Sequence, residues 1–215
     1  MNTGICYLYG AGTYYSDEIA VPGNEDMVIA ADGGYDFLKK HNIIPDMLLG
    51  DFDSLSSSDY ITNAEDNHIP VLSFPKDKDY TDMYLAAEEG MKHGYKTFHI
   101  YGGCGGRIDH TIANIQLLSY ITKKGCSGWL FANNSVLTII NDSSLNLTKD
   151  KLSSGYISVL SYSDVSYGVT ISGLKYETDN ITMTNSMVLG TSNEFIGKDC
   201  SISVQKGTLL IIIEL

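Results

Sequence analysis

The sequence predicts an α/β N-terminal part with a mainly parallel sheet, followed by an all-β antiparallel sandwich or barrel. Three observations carry this expectation. Up to about Gly125, short apolar runs alternate with helix-like segments, a pattern that buries best as a parallel sheet with helices on its faces. After Gly125, Ser, Thr, Asn and Gly punctuate short β-branched runs with no long helical period, which suits antiparallel strands. The length of 215 residues accommodates one domain or two small ones. The pattern changes within 126–140, so the expected domains are 1–130 and 131–215.

In order, Ile5–Tyr9 and Met27–Ala31 are apolar runs of strand length, and Tyr35–His41 is a helix candidate. Met47–Leu49 and Val71–Phe74 have the character of buried strands. Met83–His93, rich in Ala, Glu and Met, predicts a helix, and Thr97–Tyr101 a strand. In Ile108–Lys124 the residues Ile108, Ile112, Ile115, Leu118 and Ile121 recur at steps of three and four, predicting one apolar helix face. The β half offers Val136–Ile140, Tyr156–Leu160, Gly168–Ile171, Ile181–Met183, Ser201–Val204 and Leu209–Ile213. None of these runs approaches the roughly 20 apolar residues that span a bilayer.

Charge narrows the function. There are 26 acidic and 14 basic residues, a net charge of −12. Such a surface repels phosphate backbones and anionic lipids, so neither nucleic acid nor a membrane is an expected partner. Residues 1–125 hold 18 acids and 9 bases, so most of the surplus lies in the α/β half. The single arginine is Arg107. Cys6, Cys104, Cys126 and Cys200 are scattered, without the C-x-x-C spacing of zinc or redox sites. The N-terminus lacks a signal-peptide pattern, so a cytoplasmic location with free thiols is expected.

Four segments that follow strand candidates carry chemistry, and in a parallel sheet such strand ends share one edge. Asp32-Gly33-Gly34 places a carboxylate and open backbone after the second strand; a plain strand–turn–helix corner is the other reading. Gly50-Asp51-Phe52-Asp53-Ser54 sets Asp51 and Asp53 on one side of an extended segment. Two such carboxylates repel unless a hard cation such as Mg²⁺ joins them. Solvated loop acids, or the D-x-D of nucleotide-sugar glycosyltransferases, are the alternatives. In Lys76-Asp77-Lys78-Asp79-Tyr80-Thr81-Asp82, Thr81 or Asp79 suits a helix cap and Asp82 the first turn. The lysines beside those acids suit a site holding both metal and phosphate. In Gly102-Gly103-Cys104-Gly105-Gly106-Arg107-Ile108-Asp109-His110, four glycines expose backbone N–H groups ahead of a helix N-terminus. Arg107 adds a guanidinium fork for phosphate. The P-loop pattern is absent.

Taken together, D-G-G, P-D-x-x-x-G-D-F-D-S from Pro45 to Ser54, K-D-x-T-D from Lys78 to Asp82 and G-G-x-G-G-R-x-D-H from Gly102 to His110 resemble the thiamine pyrophosphokinase family. These motifs fall within about residues 30–118. In the β half, Gly190-Thr191-Ser192-Asn193-Glu194-Phe195 and Gly173-Leu174-Lys175-Tyr176 are also similar to family sequence. Glu177-Thr178 stands where Pro-Leu often follows that tyrosine. The resemblance implies pyrophosphate transfer from ATP to the thiamine hydroxyl, giving thiamine diphosphate and AMP, by a homodimer with thiamine between subunits. It implies Asp32, Asp51, Asp53 and Asp82 as the Mg²⁺ and phosphate cluster, with Asp51, Asp53 and Asp82 as metal ligands. Lys78 and Arg107 would hold phosphates, and Gly102, Gly103, Gly105 and Gly106 would shape the nucleotide loop. Thr81 and Asp109 would be polar contacts, and Ser192 and Asn193 would touch thiamine. Two rival readings remain. A D-x-D glycosyltransferase leaves the glycine–arginine loop unexplained and would consume UDP-sugar without ATP. A non-catalytic sensor would bind thiamine or its diphosphate without turnover.

Overall fold

The computed structural model describes residues 3–15, 22–52, 62, 64, 67–75, 79–150 and 154–214. It divides into two compact units, Met1–Leu117 with Gly125–Asn133, and Leu118–Lys124 with Asn134–Leu215.

The first unit is built on a parallel sheet. Its strands are β1 (Ile5–Tyr9), β2 (Met27–Ala31), β3 (Met47–Gly50), β4 (Val71–Ser73), β5 (Thr97–Tyr101) and β6 (Ser127–Ala132), in the order β6-β5-β1-β2-β3-β4. β1 pairs in parallel with β2 (Leu8↔Ile29) and with β5 (Leu8↔Ile100). The chain therefore winds outward from β1 to β4, returns beside β1 at β5, and continues outward the other way. The crevice beyond the carboxyl ends of β1 and β5 is the switch point where ligands bind in open α/β sheets. β2 and β3 are apolar and buried along their whole length, as strands covered on both faces are. Cys6 and Leu8 alternate with Tyr7 and Tyr9, and all four are buried.

Helix α1 (Gly34–Lys40) contributes Tyr35, Phe37 and Leu38 to a core with Tyr7, Tyr9, Val28 and Leu48. Helix α2 (Asp82–Lys92) buries Met83, Ala86, Ala87 and Gly90. Asp26 and Asp46 tie the framework together. Asp26 accepts from Ile5 N and Gly23 N, and Asp46 from Val28 N, each at 2.7 Å.

Helix α3 (Ile108–Lys123) corrects one expectation. Leu118 and Ile121 are buried, but Ile108 is 73% exposed and Ile112 52%. At about 100° per residue, the three successive steps of three from Ile112 to Ile121 wrap about half-way round the helix, so these isoleucines do not share a face. The stripe with i, i+4, i+7 spacing runs instead through His110, Asn114, Leu117, Leu118 and Ile121, of which all but His110 are buried. Strand β6 also went unpredicted. It extends the parallel sheet beside β5 (His99↔Trp129).

The second unit has two antiparallel sheets. One orders β7 (Ser135–Asn141), β9 (Tyr156–Ser161), β12 (Asn193–Glu194) and β14 (Thr208–Glu214) as β12-β9-β14-β7. The other orders β8 (Ser144–Leu147), β10 (Val165–Ser172), β11 (Thr178–Thr184) and β13 (Cys200–Ser203) as β11-β10-β13-β8. Central strand β14 reads as a continuous apolar run because it is paired on both edges and buried along Thr208–Ile211. All four cysteines are free and buried. Among the described residues no helix is long and apolar enough to cross a membrane.

Candidate active site

Two loops meet at the switch point. Residues 10–13 leave β1, and the glycine segment 102–106 leaves β5. Three backbone hydrogen bonds lace them: Gly10 N to Tyr101 O (2.9 Å), Gly12 N to Gly102 O (2.8 Å) and Thr13 N to Cys104 O (2.9 Å). A Cβ on Gly12 would stand 2.5 Å from Gly102 O, so only glycine permits this approach. From α3, the buried Asn114 donates through Nδ2 to Gly103 O at 2.7 Å. Between the loops lies a cavity of about 390 Å³, lined by Gly12, Thr13, Gly103, Gly105, Arg107 and His110 among others. Its wall offers glycine backbone and a guanidinium, a surface for anionic groups. The sequence reading found the second loop and missed the first. The signal was Gly10-Ala11-Gly12 directly after a strand.

An acidic cavity of about 140 Å³ shares part of that wall. Asp32, Thr81 and Asp82 line it. Asp32 follows β2 in the left-handed region (φ 46°), and its N donates to Leu49 O at 2.9 Å. Its carboxylate Oδ1 lies where a Cβ on Gly50 would be. D-G-G and the Leu49-Gly50 end of β3 thus form one corner. Asp51 follows at the end of β3 and is absent from the lining of either cavity. Asp53 and Lys78 lie outside the described residues. Thr81, rather than Asp79, caps α2, its Oγ1 accepting from Tyr84 N at 3.2 Å. Asp82 sits in the first turn.

Arg107 and Asp109 form a two-point pair, Nη2–Oδ2 at 2.6 Å and Nε–Oδ1 at 3.2 Å. The guanidinium holds the Asp109 carboxyl below the usual carboxylate range. Both side chains are exposed, so the pair adds little stability and can exchange for a phosphate.

Among the described residues no three His, Cys, Asp or Glu side chains gather as a metal cage. Mg²⁺ does not need one. It binds through one or two carboxylates with waters and substrate phosphates, and Asp32 with Asp82 facing one small cavity is such a donor set.

In the second unit, Asn193 is buried and committed to backbone. Its Oδ1 accepts from Tyr176 N and Glu194 N, both at 2.9 Å, and its Nδ2 donates to Tyr176 O at 2.7 Å. Its place is to seat the segment that carries the exposed Tyr176. Ser192 is exposed, with φ 56° and its N donating to Ser158 Oγ at 3.1 Å. Glu177, at the departure from the family pattern, accepts from Gly173 N at 2.7 Å and closes that turn.

Comparison with known proteins gives consistent matches. Residues 21–130 match the family described as thiamin pyrophosphokinase, catalytic domain, and residues 143–209 match thiamin pyrophosphokinase, vitamin B1 binding domain. The thiamine pyrophosphokinase of Bacillus subtilis (strain 168) is 30% identical over 201 residues, 93% of this chain and 90% of that protein. Thiamin pyrophosphokinase 1 of Caenorhabditis elegans is 28% identical over 179 residues, 77% of this chain and 70% of that protein. The crystal structure of the Bacillus subtilis thiamine pyrophosphokinase superposes with a TM-score of 0.86 at 27% identity, covering 98% of both chains.

Proposed function

The chain belongs to the thiamine pyrophosphokinase family, transferring pyrophosphate from ATP to thiamine to give thiamine diphosphate, and we propose that it does so in the two adjoining cavities of its first unit. One observation carries this placement. A glycine-and-arginine cavity for anions shares its wall with an acidic cavity suited to a cation.

In this reading ATP lies across the shared wall. The AMP portion occupies the larger cavity, against the open backbone of Gly102, Gly103, Gly105 and Gly106. Arg107 leaves Asp109 to pair with phosphate, its fork matching two oxygens. The β- and γ-phosphates lie on the side of Asp32, Thr81 and Asp82. Mg²⁺ is the implied metal; Asp32 and Asp82, which face the acidic cavity, would hold it, and Asp51 and Asp53 of the G-D-F-D motif are the further carboxylates proposed for it. Bound there, the ion supplies charge neutralisation for the phosphates. Lys78 adds a point charge. The thiamine hydroxyl then attacks the β-phosphorus and AMP leaves. Positioning and charge stabilisation supply most of the rate in such transfers.

Residues 131–215 are proposed to carry the thiamine contacts, Ser192 directly and Asn193 by seating its neighbours. A cytoplasmic homodimer with thiamine between subunits completes the reading.

The test is to incubate the protein with ATP, Mg²⁺ and thiamine and to separate nucleotides chromatographically. AMP formed only with thiamine present is expected. ADP instead would mean single-phosphate transfer and overturn the assignment.

A further inference from the structure

His110 lines both cavities. So do Ala11, Met83 and Asn114, and of these four only His110 is ionisable. Its backbone is held in the first turn of α3. Asp109 Oδ1 accepts from the His110 backbone N at 3.0 Å. One turn on, on the same helix face, Asn114 is anchored to Gly103 O. The imidazole itself makes no hydrogen bond to any described residue, so its ring nitrogens are open to a ligand.

We propose that His110 is a catalytic residue that donates a hydrogen bond to the oxygen bridging the α- and β-phosphorus of ATP. The inference rests on the pyrophosphate-transfer reading above. With AMP in the larger cavity and the β- and γ-phosphates in the acidic one, that bridge lies at the wall between them. In the transfer, the thiamine hydroxyl oxygen bonds to the β-phosphorus and its proton passes to solvent. The bond from the β-phosphorus to the bridging oxygen breaks, and the electron pair stays on that oxygen, now part of AMP. Negative charge grows there during the step, so a donor placed there acts on the transition state more than on bound ATP.

The experiment compares the wild type with His110→Ala and His110→Gln. Steady-state AMP release gives kcat and KM. Calorimetry gives the affinity for AMP and, separately, for adenosine. For His110→Ala, kcat should fall by roughly 10²-fold, the scale for removing one transition-state donor. KM for ATP should stay within about threefold, as expected for an interaction made in the transition state. His110→Gln keeps an N–H donor and should recover part of the rate. AMP should bind about tenfold more weakly to His110→Ala, the scale of one hydrogen bond to a charged group, with adenosine unchanged. An unchanged kcat, or a rise in KM alone, overturns the proposal. So does an equal loss of AMP and adenosine affinity, which would make His110 part of the wall only. If wild type yields no AMP with thiamine, the functional reading falls, while the AMP–adenosine comparison still judges His110.

Discussion

At the corner where β2 and β3 end, Asp32 and Gly50 are one feature. The Asp32 side chain occupies the space over Gly50 that any Cβ would claim. Gly50→Ala must displace either the carboxylate or the strand end. A displacement of about 1 Å near the chemistry costs about 10²-fold in rate, and forcing a methyl into filled space costs about 1–3 kcal/mol. Both are expected for Gly50→Ala, read as kcat and as the urea midpoint. Asp32→Asn keeps the shape and removes the charge. It should lower kcat by at least about 10²-fold with the unfolding midpoint nearly unchanged, since the loss is electrostatic. A normal rate in Asp32→Asn would remove this carboxylate from the proposed phosphate and metal cluster.

Strand β5 shows a whole element shaping stability. Its His99 packs against Tyr7 on β1 (5.4 Å, edge-on) and Phe131 on β6 (5.2 Å). Burial lowers its pKa to about 4, against a smaller opposing pull from Asp26. Between pH 6.5 and about 4 the unfolded chain takes up a proton that folded His99 refuses. Stability from this site is therefore full above pH 6.5 and declines as pH falls. His99→Phe should flatten that decline. At pH 5 the difference should be about 1 kcal/mol after solvent screening, or a few degrees in Tm. Melting curves at pH 7 and pH 5 decide it. The elements themselves were largely legible, because Ile5–Tyr9, Met27–Ala31 and Thr97–Tyr101 are apolar runs of strand length. β6 was not, because Ser127-Gly128 blurs its start and its parallel partner β5 is 30 residues away. On α3, counting steps without adding their angles hid the stripe that carries His110 and Asn114 to the site. The 102–106 loop was legible from its glycines. Its partner at 10–13 required knowing that β1 and β5 are neighbours.

For the whole molecule, the charge of −12 resolves into different duties. Asp26 and Asp46 hold backbone N–H groups within the first unit, whereas Asp32 and Asp82 face a cavity. In the proposed site, an acidic enzyme takes an anionic substrate because a cation held by those carboxylates, together with Arg107, would offset the repulsion locally. The proposed homodimer makes a further claim, that each thiamine site joins the first unit of one protomer to the second unit of its partner. Subunit mixing tests it. Asp82→Asn should disable phosphate transfer, and Ser192→Lys should set a cation against the cationic thiazolium ring of thiamine. Ser192 is exposed, so folding should survive, as a melting curve would verify. Each variant alone should be nearly inactive. Once protomers exchange, a mixed dimer has one site with both lesions and one site with neither, so activity should return. If each site lay within a single protomer, every site in the mixture would keep one lesion. Activity that stays at the level of the separate variants, despite exchange verified by differently tagged protomers, would place thiamine within one chain.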